Sequence, residues 1–390
     1  MSNLGLFDST DDRASNTSDL DRIDWSFPRT GTDPRSIHKH HWFAGNFIPQ
    51  IPAALIEILS KPGDLVLDPF GGSGTTVLEA ARLGRRSIYS DGVTACVSIA
   101  RAKVALGIAP PQRQTRDQIL DALTWKHVCH SNKPGSNGEG SASALSDWFA
   151  PGTLGQLRFL WQMIEPKDNY SLDLIFWDLL FACASTEGSQ TSTGGTRRHH
   201  WGWVADNVRP KVLIEHDAIQ GFIDRLAGLP LDSQNWLYEP TILQADARHL
   251  PLPDNEIDLI VTSPPYISVI DYVRAQRLTY LWMNWPFDSE RAAEIGARYK
   301  RRRLGAENAY LQQMRECWAE FSRVLKPGGK LAVVLGESRA FPGVSERAME
   351  DARSIMPMFW GPVIRRGSRR RVSDRRGSES RETLFVVQKP

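Results

Sequence analysis

An α/β fold, a doubly wound and mostly parallel sheet carrying a largely helical insertion, follows from three features of this 390-residue sequence. First, the apolar run Leu65-Val-Leu67 breaks at Asp68-Pro69 into the turn Phe70-Gly-Gly-Ser-Gly74, and helical spacing (Val77, Leu78, Ala80, Ala81, Leu83) begins at once. Strand, glycine turn and helix in that order form a βα unit of nucleotide-binding kind, in which the glycines admit a ligand close to the backbone. Second, the alternation recurs: residues 86–90 read as strand, 93–106 as helix, 241–246 and 257–262 as strands, 310–325 as helix, 330–335 and 383–387 as strands. Third, residues 109–237 interrupt it with helical patterns, Leu154, Leu157, Leu160, Trp161 and Ile164, then residues 172–184.

The turn excludes two common ligand loops. A P-loop needs Gly-Lys-Ser/Thr, and no lysine follows these glycines; the dinucleotide fingerprint needs a third glycine where Val77 stands. An acidic residue ending the second strand of such a sheet accepts from ribose hydroxyls. Asp91, about twenty residues past the glycines, is at the distance expected for that role. The alternative is a solvated strand-end aspartate. Asp246, at the end of the next strand, is placed to accept from an adenine amine.

The stretch Asp68-Pro-Phe-Gly-Gly-Ser-Gly-Thr-Thr76 resembles the S-adenosylmethionine-binding motif of the DNA amino-methyltransferases. Far along the chain, Thr262-Ser-Pro-Pro-Tyr266 resembles their catalytic motif. The resemblance covers residues 36–108 and 238–390, and it implies a Rossmann-like methyltransferase sheet with S-adenosylmethionine as cofactor. It implies cofactor contacts from Asp68, Pro69, Phe70, Gly72, Ser73, Gly74, Thr75 and Thr76, with Phe47 and Pro49 near the methionine end. Catalysis is implied at Ser263, Pro264, Pro265 and Tyr266, acting on a base flipped out of double-stranded DNA. The insertion precedes the catalytic motif, a departure from the family's usual placements, so its assignment to target recognition is an expectation only.

Carbon-5 cytosine methylation uses a Pro-Cys nucleophile, and none of Cys96, Cys129, Cys183 and Cys317 follows a proline. Ser-Pro-Pro-Tyr looks like the cytosine-N4 form, whereas adenine-N6 enzymes more often place Asp or Asn first. Adenine N6, then an RNA base, are the alternatives, and a non-catalytic module binding S-adenosylmethionine and DNA is the reading from another class. A cognate restriction or defence partner is left open, as is monomer versus dimer.

The remaining expectations come from composition and charge. An apolar fraction of 41% suffices for a large core, and the net charge of +2 does not by itself announce nucleic acid. Its distribution is more pointed. Arg298-Tyr-Lys-Arg-Arg-Arg303 and the seven arginines of 365–376 suggest phosphate contacts, through Arg301, Arg302, Arg303, Arg369, Arg370 and Arg371. Arg197 and Arg198, among glycines and tryptophans, suggest the same with base stacking. For each run, plain solvated surface is the alternative.

His38-Lys-His-His41 lacks acidic or cysteine companions, and adjacent His40 and His41 suit shared ligation poorly, so no metal is expected. Residues 1–30, polar and acidic, read as a mobile arm whose end Trp25 and Phe27 could dock. Residues 31–108 and 238–390 then form the two parts of the catalytic domain. With no cysteine pairing pattern, leader or apolar span, a cytoplasmic protein without membrane contact is expected.

Overall fold

The computed structural model describes residues 17–27, 37–41, 43, 45, 47–110, 117–123, 142–164, 170–184, 209–210, 212–230, 232–367 and 380–390. Seven strands form one sheet: β1 (Leu65–Asp68), β2 (Arg86–Asp91), β3 (Thr241–Gln244), β4 (Ile257–Thr262), β5 (Leu325–Gly336), β6 (Met358–Gly367) and β7 (Ser380–Gln388). Their order is β3-β2-β1-β4-β5-β7-β6. The first five pair in parallel, while β7 runs antiparallel between β5 and β6. This is the Rossmann-like α/β fold that the βα alternation predicts. The central parallel strands are covered on both faces, which is why β1 reads as a continuous apolar run.

On one face lie α1 (Gln50–Leu59) and α2 (Thr75–Arg82), followed in the chain by α3 (Thr94–Ile108). The inserted stretch contributes α4 (Pro151–Ile164), α5 (Tyr170–Ala184) and α6 (Ala218–Ala227). Their buried residues join α3 in one apolar cluster, with Leu157, Phe176, Phe181 and Phe222 inaccessible. Behind β5 pack α10 (Ala306–Val324) and α11 (Val344–Ile355), through Trp318 and Phe321.

Three places depart from local sequence pattern or go beyond it. Residues 267–285, which have continuous helical spacing, form a loop and then the short helices α7 (Tyr272–Ala275) and α8 (Arg277–Met283), followed by α9 (Phe287–Ala293). The loop is held elsewhere: Ser268 N–H donates to Gly296 O (2.7 Å) and Arg298 N–H to Ile270 O (3.2 Å). Long-range hydrogen bonds there override local periodicity. The final strand also has a partner that the sequence hides, because Gly361 and Pro362 interrupt β6 and its pairing shifts register on either side of Trp360.

The third concerns the N-terminal arm. Residues 17–21 are helical, Leu20 is inaccessible, and Trp25 packs against Trp360 with ring centroids 5.7 Å apart and planes tilted by 49°. Trp25 Nε1 donates to Leu20 O (3.1 Å) and Trp360 Nε1 to Asp21 Oδ1 (2.7 Å). This part of the stretch is docked rather than mobile. Trp25→Ala should therefore lower stability by about 3–5 kcal/mol, read from urea unfolding; an unchanged midpoint would mean that the segment is dispensable.

Candidate active site

The strand order reverses between β1 and β4, and a cleft of about 350 Å³ opens at their carboxyl ends. A crevice at this switch point is where sheets of this kind take ligands. Thr262 Oγ1, ending β4, donates to Asp68 Oδ1, ending β1, at 2.7 Å. The glycine turn folds over the end of β2, where Gly71 N–H donates to Ser90 O (3.0 Å) and Gly72 N–H to Asp91 Oδ2 (2.9 Å). Tyr89 Oη donates back to Gly72 O at 2.9 Å. A Cβ on Gly71 would lie 2.2 Å from the Tyr89 ring, and Gly72 has φ +51°. Neither place admits a side chain at low cost.

Several expected cofactor residues line this cleft together: Phe47, Asp68, Pro69, Phe70, Gly72, Ser73, Thr75, Asp91 and Asp246. Pro49, Gly74 and Thr76 do not. Pro49 instead precedes α1, Gly74 precedes α2, and Thr76 is buried within it. Ser263 and Pro265 line the same cleft, while Pro264 is buried behind it. Tyr266 lies back against β5, where a Cβ on Gly336 would be 2.0 Å from its ring. One face of that ring is therefore covered, and the side chain remains part-exposed.

Asp91 already accepts two backbone hydrogen bonds, from Gly72 and from Val93 N–H (2.9 Å). A carboxylate has about four acceptor positions, so capacity for a ribose remains. Asp246 is more committed. Both its oxygens take the Arg248 guanidinium, at 2.6 to 3.1 Å, and these bonds hold its carboxyl below the usual range.

The remaining wall carries residues that the sequence did not reveal: Phe43, Gln244, Tyr272, Glu290, Glu294 and Ile295. Glu290 accepts from Thr94 N–H (2.9 Å) and from the Tyr280 hydroxyl, tying α9 to α3 and α8. Glu294 accepts from Tyr272 and Val273 N–H (2.7 and 3.2 Å), and burial pushes its carboxyl up to about 8. The available signal was their four-residue spacing, which puts two acids on one side of a helical turn.

Arg301, Arg302 and Arg303 are exposed, at the short helix Arg298–Arg302 and just beyond it. Arg365, first of the second arginine run, is instead 2% exposed and ion-paired with Glu382 at 2.5 Å. Arg197, Arg198, Arg369, Arg370 and Arg371 lie outside the described residues. The histidine cluster is dispersed: His38 bonds Glu79 at 2.6 Å, while buried His41 sits edge-on to Phe181 of α5. No group of acids, histidines and cysteines among the described residues could hold a metal ion.

S-adenosylmethionine carries a sulfonium and an α-amino group, and this cleft offers the acids to meet them. The Gly71–Tyr89 cradle, the half-buried Asp91 and the acidic walls fit such a cation. Burial pushes Asp68 and Asp91 up to about 6 from 3.8. These two carboxyls bind more protons in the folded protein than in the unfolded chain between about pH 4 and 6, so their contribution to stability falls as pH rises through that window. Asp68→Asn should flatten that slope, removing roughly 2–3 kcal/mol of penalty at neutral pH, measured as urea midpoints from pH 4 to 7. An unaltered slope would show that Asp68 does not titrate there.

Residues 9–101 match the model of a family described as DNA methylase. The chain is 35% identical over 74 residues to Type II methyltransferase M.MjaII of Methanocaldococcus jannaschii, a match covering 18% of this chain and 14% of that protein. It is 40% identical over 79 residues to Type II methyltransferase M2.DpnII of Streptococcus pneumoniae, covering 19% and 28%. The chain thus spans well under a third of either relative. Among solved structures it is similar to TrmN from Thermus thermophilus (15% identity, TM-score 0.31, 88% of this chain and 49% of that one). A likeness at that score decides nothing. The family match and the two relatives support the DNA amino-methyltransferase family for this chain, and leave cytosine N4 and adenine N6 unresolved.

Proposed function

We propose that this protein transfers the methyl group of S-adenosylmethionine to an exocyclic amine of a base in double-stranded DNA, with cytosine N4 in a specific sequence as the target and the base flipped out of the helix. One observation carries the reading. Ser263 and Pro265 line the same cleft as Asp68, the glycine turn and Asp91, so a base and a cofactor would meet in one enclosure.

An exocyclic amine is a weak nucleophile, because its lone pair is delocalised into the ring. Hydrogen bonds from its two N–H groups to Ser263 Oγ and the Pro264 carbonyl would localise that pair and turn it toward the reacting carbon. Proline fixes its own φ and brings no competing N–H. When bound, S-adenosylmethionine supplies a methyl group already activated on sulfur. The residues' task is then orientation and exclusion of water, which is where most of the rate gain arises. Asp91 would hold the ribose and Phe47 would cover the methionine end. Tyr266, part-exposed beside Ser263, would stack an extruded base. Serine at the first motif position favours cytosine over adenine, and a purely binding module would have no use for this amine clamp.

Nucleoside mass spectrometry on duplex DNA incubated with labelled S-adenosylmethionine tests the reading. Label in N4-methylcytosine is the expected result. Label in N6-methyladenine would keep the chemistry and replace the base. Label in RNA alone, or none despite cofactor binding, would overturn the proposal. Ser263→Ala should keep cofactor affinity and lose turnover, and normal turnover would remove the clamp. Neutralising Arg301, Arg302 and Arg303 together should flatten the dependence of DNA affinity on salt, by up to about three in the logarithmic slope; an unchanged slope returns them to plain surface.

A further inference from the structure

Behind Ser263 runs a chain of polar groups that crosses the sheet. Ser263 Oγ is 3.1 Å from the Tyr266 hydroxyl and 3.2 Å from the Val334 carbonyl. Tyr266 donates to Glu382 Oε1 at 3.2 Å. Glu382, 1% exposed on β7, takes Arg365 Nη1 on its other oxygen at 2.5 Å. Arg365, on β6, donates Nε to the Trp25 carbonyl at 2.9 Å. The cleft is thus linked through two strands to the docked N-terminal segment.

This chain has a direction. A carboxylate paired with a guanidinium is an acceptor only. The Tyr266 proton therefore goes to Glu382, and the Tyr266 oxygen is left to accept. The single Ser263 proton then goes to Tyr266 or to Val334, in both cases into the protein. The cleft side of Oγ is left with lone pairs. An amine awaiting methylation offers N–H groups, so an acceptor is what it needs. A serine proton turned into the cleft would instead engage the amine lone pair and quench the nucleophile.

We propose that Glu382 is a positioning residue for methyl transfer: acting through Tyr266, it fixes Ser263 Oγ as the acceptor for the target amine, with Arg365 holding Glu382 in that role. This rests on the methyl-transfer reading above and adds to it a residue from the far end of the chain. If Glu382 were neutral, the Tyr266 proton would turn to Ser263 and occupy one of its two lone pairs, so the amine would lose an acceptor position while the serine proton stays on the Val334 carbonyl.

The test is steady-state methylation of duplex DNA by Glu382→Gln, Tyr266→Phe and the double variant, with S-adenosylmethionine affinity measured by calorimetry. Glu382→Gln should lower kcat by about tenfold, the size of one misdirected hydrogen bond, while Tyr266→Phe, in which Val334 still takes the serine proton, should lower it less; both should leave cofactor Kd unchanged. The double variant should be no slower than the slower single, because both changes break the same link. Losses that multiply would make Glu382 merely structural and overturn the proposal. Glu382→Gln strands Arg365 in the core and risks unfolding. Glu382→Asp keeps the charge but shortens the reach, so it should retain the fold and show the same kcat loss; full kcat there also overturns the proposal. A wild-type protein without turnover would sink the methyl-transfer reading together with this one. Multiplying losses in an active enzyme sink only the role of Glu382.

Discussion

The hydrogen bond from Thr262 to Asp68 is the constraint on which the site depends. It joins the ends of β1 and β4 at the place where strand order reverses, and both residues are buried. A buried carboxylate is costly unless donors meet it, and here Thr262 and the Phe70 N–H do so. Meeting that need fixes the two strand ends side by side. The glycine turn leaves from one and Ser263 from the other, so the same bond sets the distance between the two motifs.

A second set of constraints closes the cleft. The segment after the catalytic motif is short helices and loops, with little periodic structure to hold it. Carboxylates do the holding: Asp271 accepts from Tyr299 N–H, Glu294 from the start of α7, and Glu290 from the start of α3. Glu290 and Glu294 also line the cleft. Acids therefore organise the wall, and Glu294, pushed up to about 8 by burial, is a largely neutral member of it at pH 7. The inserted helices share their apolar cluster with α3, so the helix that follows Asp91 packs against them directly.

The βα units were legible because each is local: a covered parallel strand is an apolar run, a helix repeats at its own period, and a ligand turn needs glycine. On those grounds the glycine turn and Asp91 could be placed from the chain, while the roles of Asp68, Gly72 and Ser263 came from the resemblance to the amino-methyltransferase motifs. What local pattern did not show needed information from distant residues. Arg365 belongs by sequence to a basic run, yet it is buried because Glu382 on a neighbouring strand neutralises it. Residues 17–27 look like a polar arm that Trp25 could dock, and the place where it docks, at Trp360 more than three hundred positions away, is set by the tertiary fold. Thr76 sits among motif residues but is buried within α2, since helix phase rather than proximity in sequence decides which side chains reach a cleft.

The sequence alone determined the alternation of β1 to β5 with their helices and the glycine turn, which are set by short-range sterics and periodicity, and the motif at Ser263 pointed to its chemistry by resemblance. Tertiary structure decided which of those residues share one cavity, which acids complete its wall, and which way the hydrogen bonds behind Ser263 run. Those outcomes depend on long-range pairing of β1 with β4 and of β7 with β5 and β6, and side chains at such separations meet only once the sheet has closed.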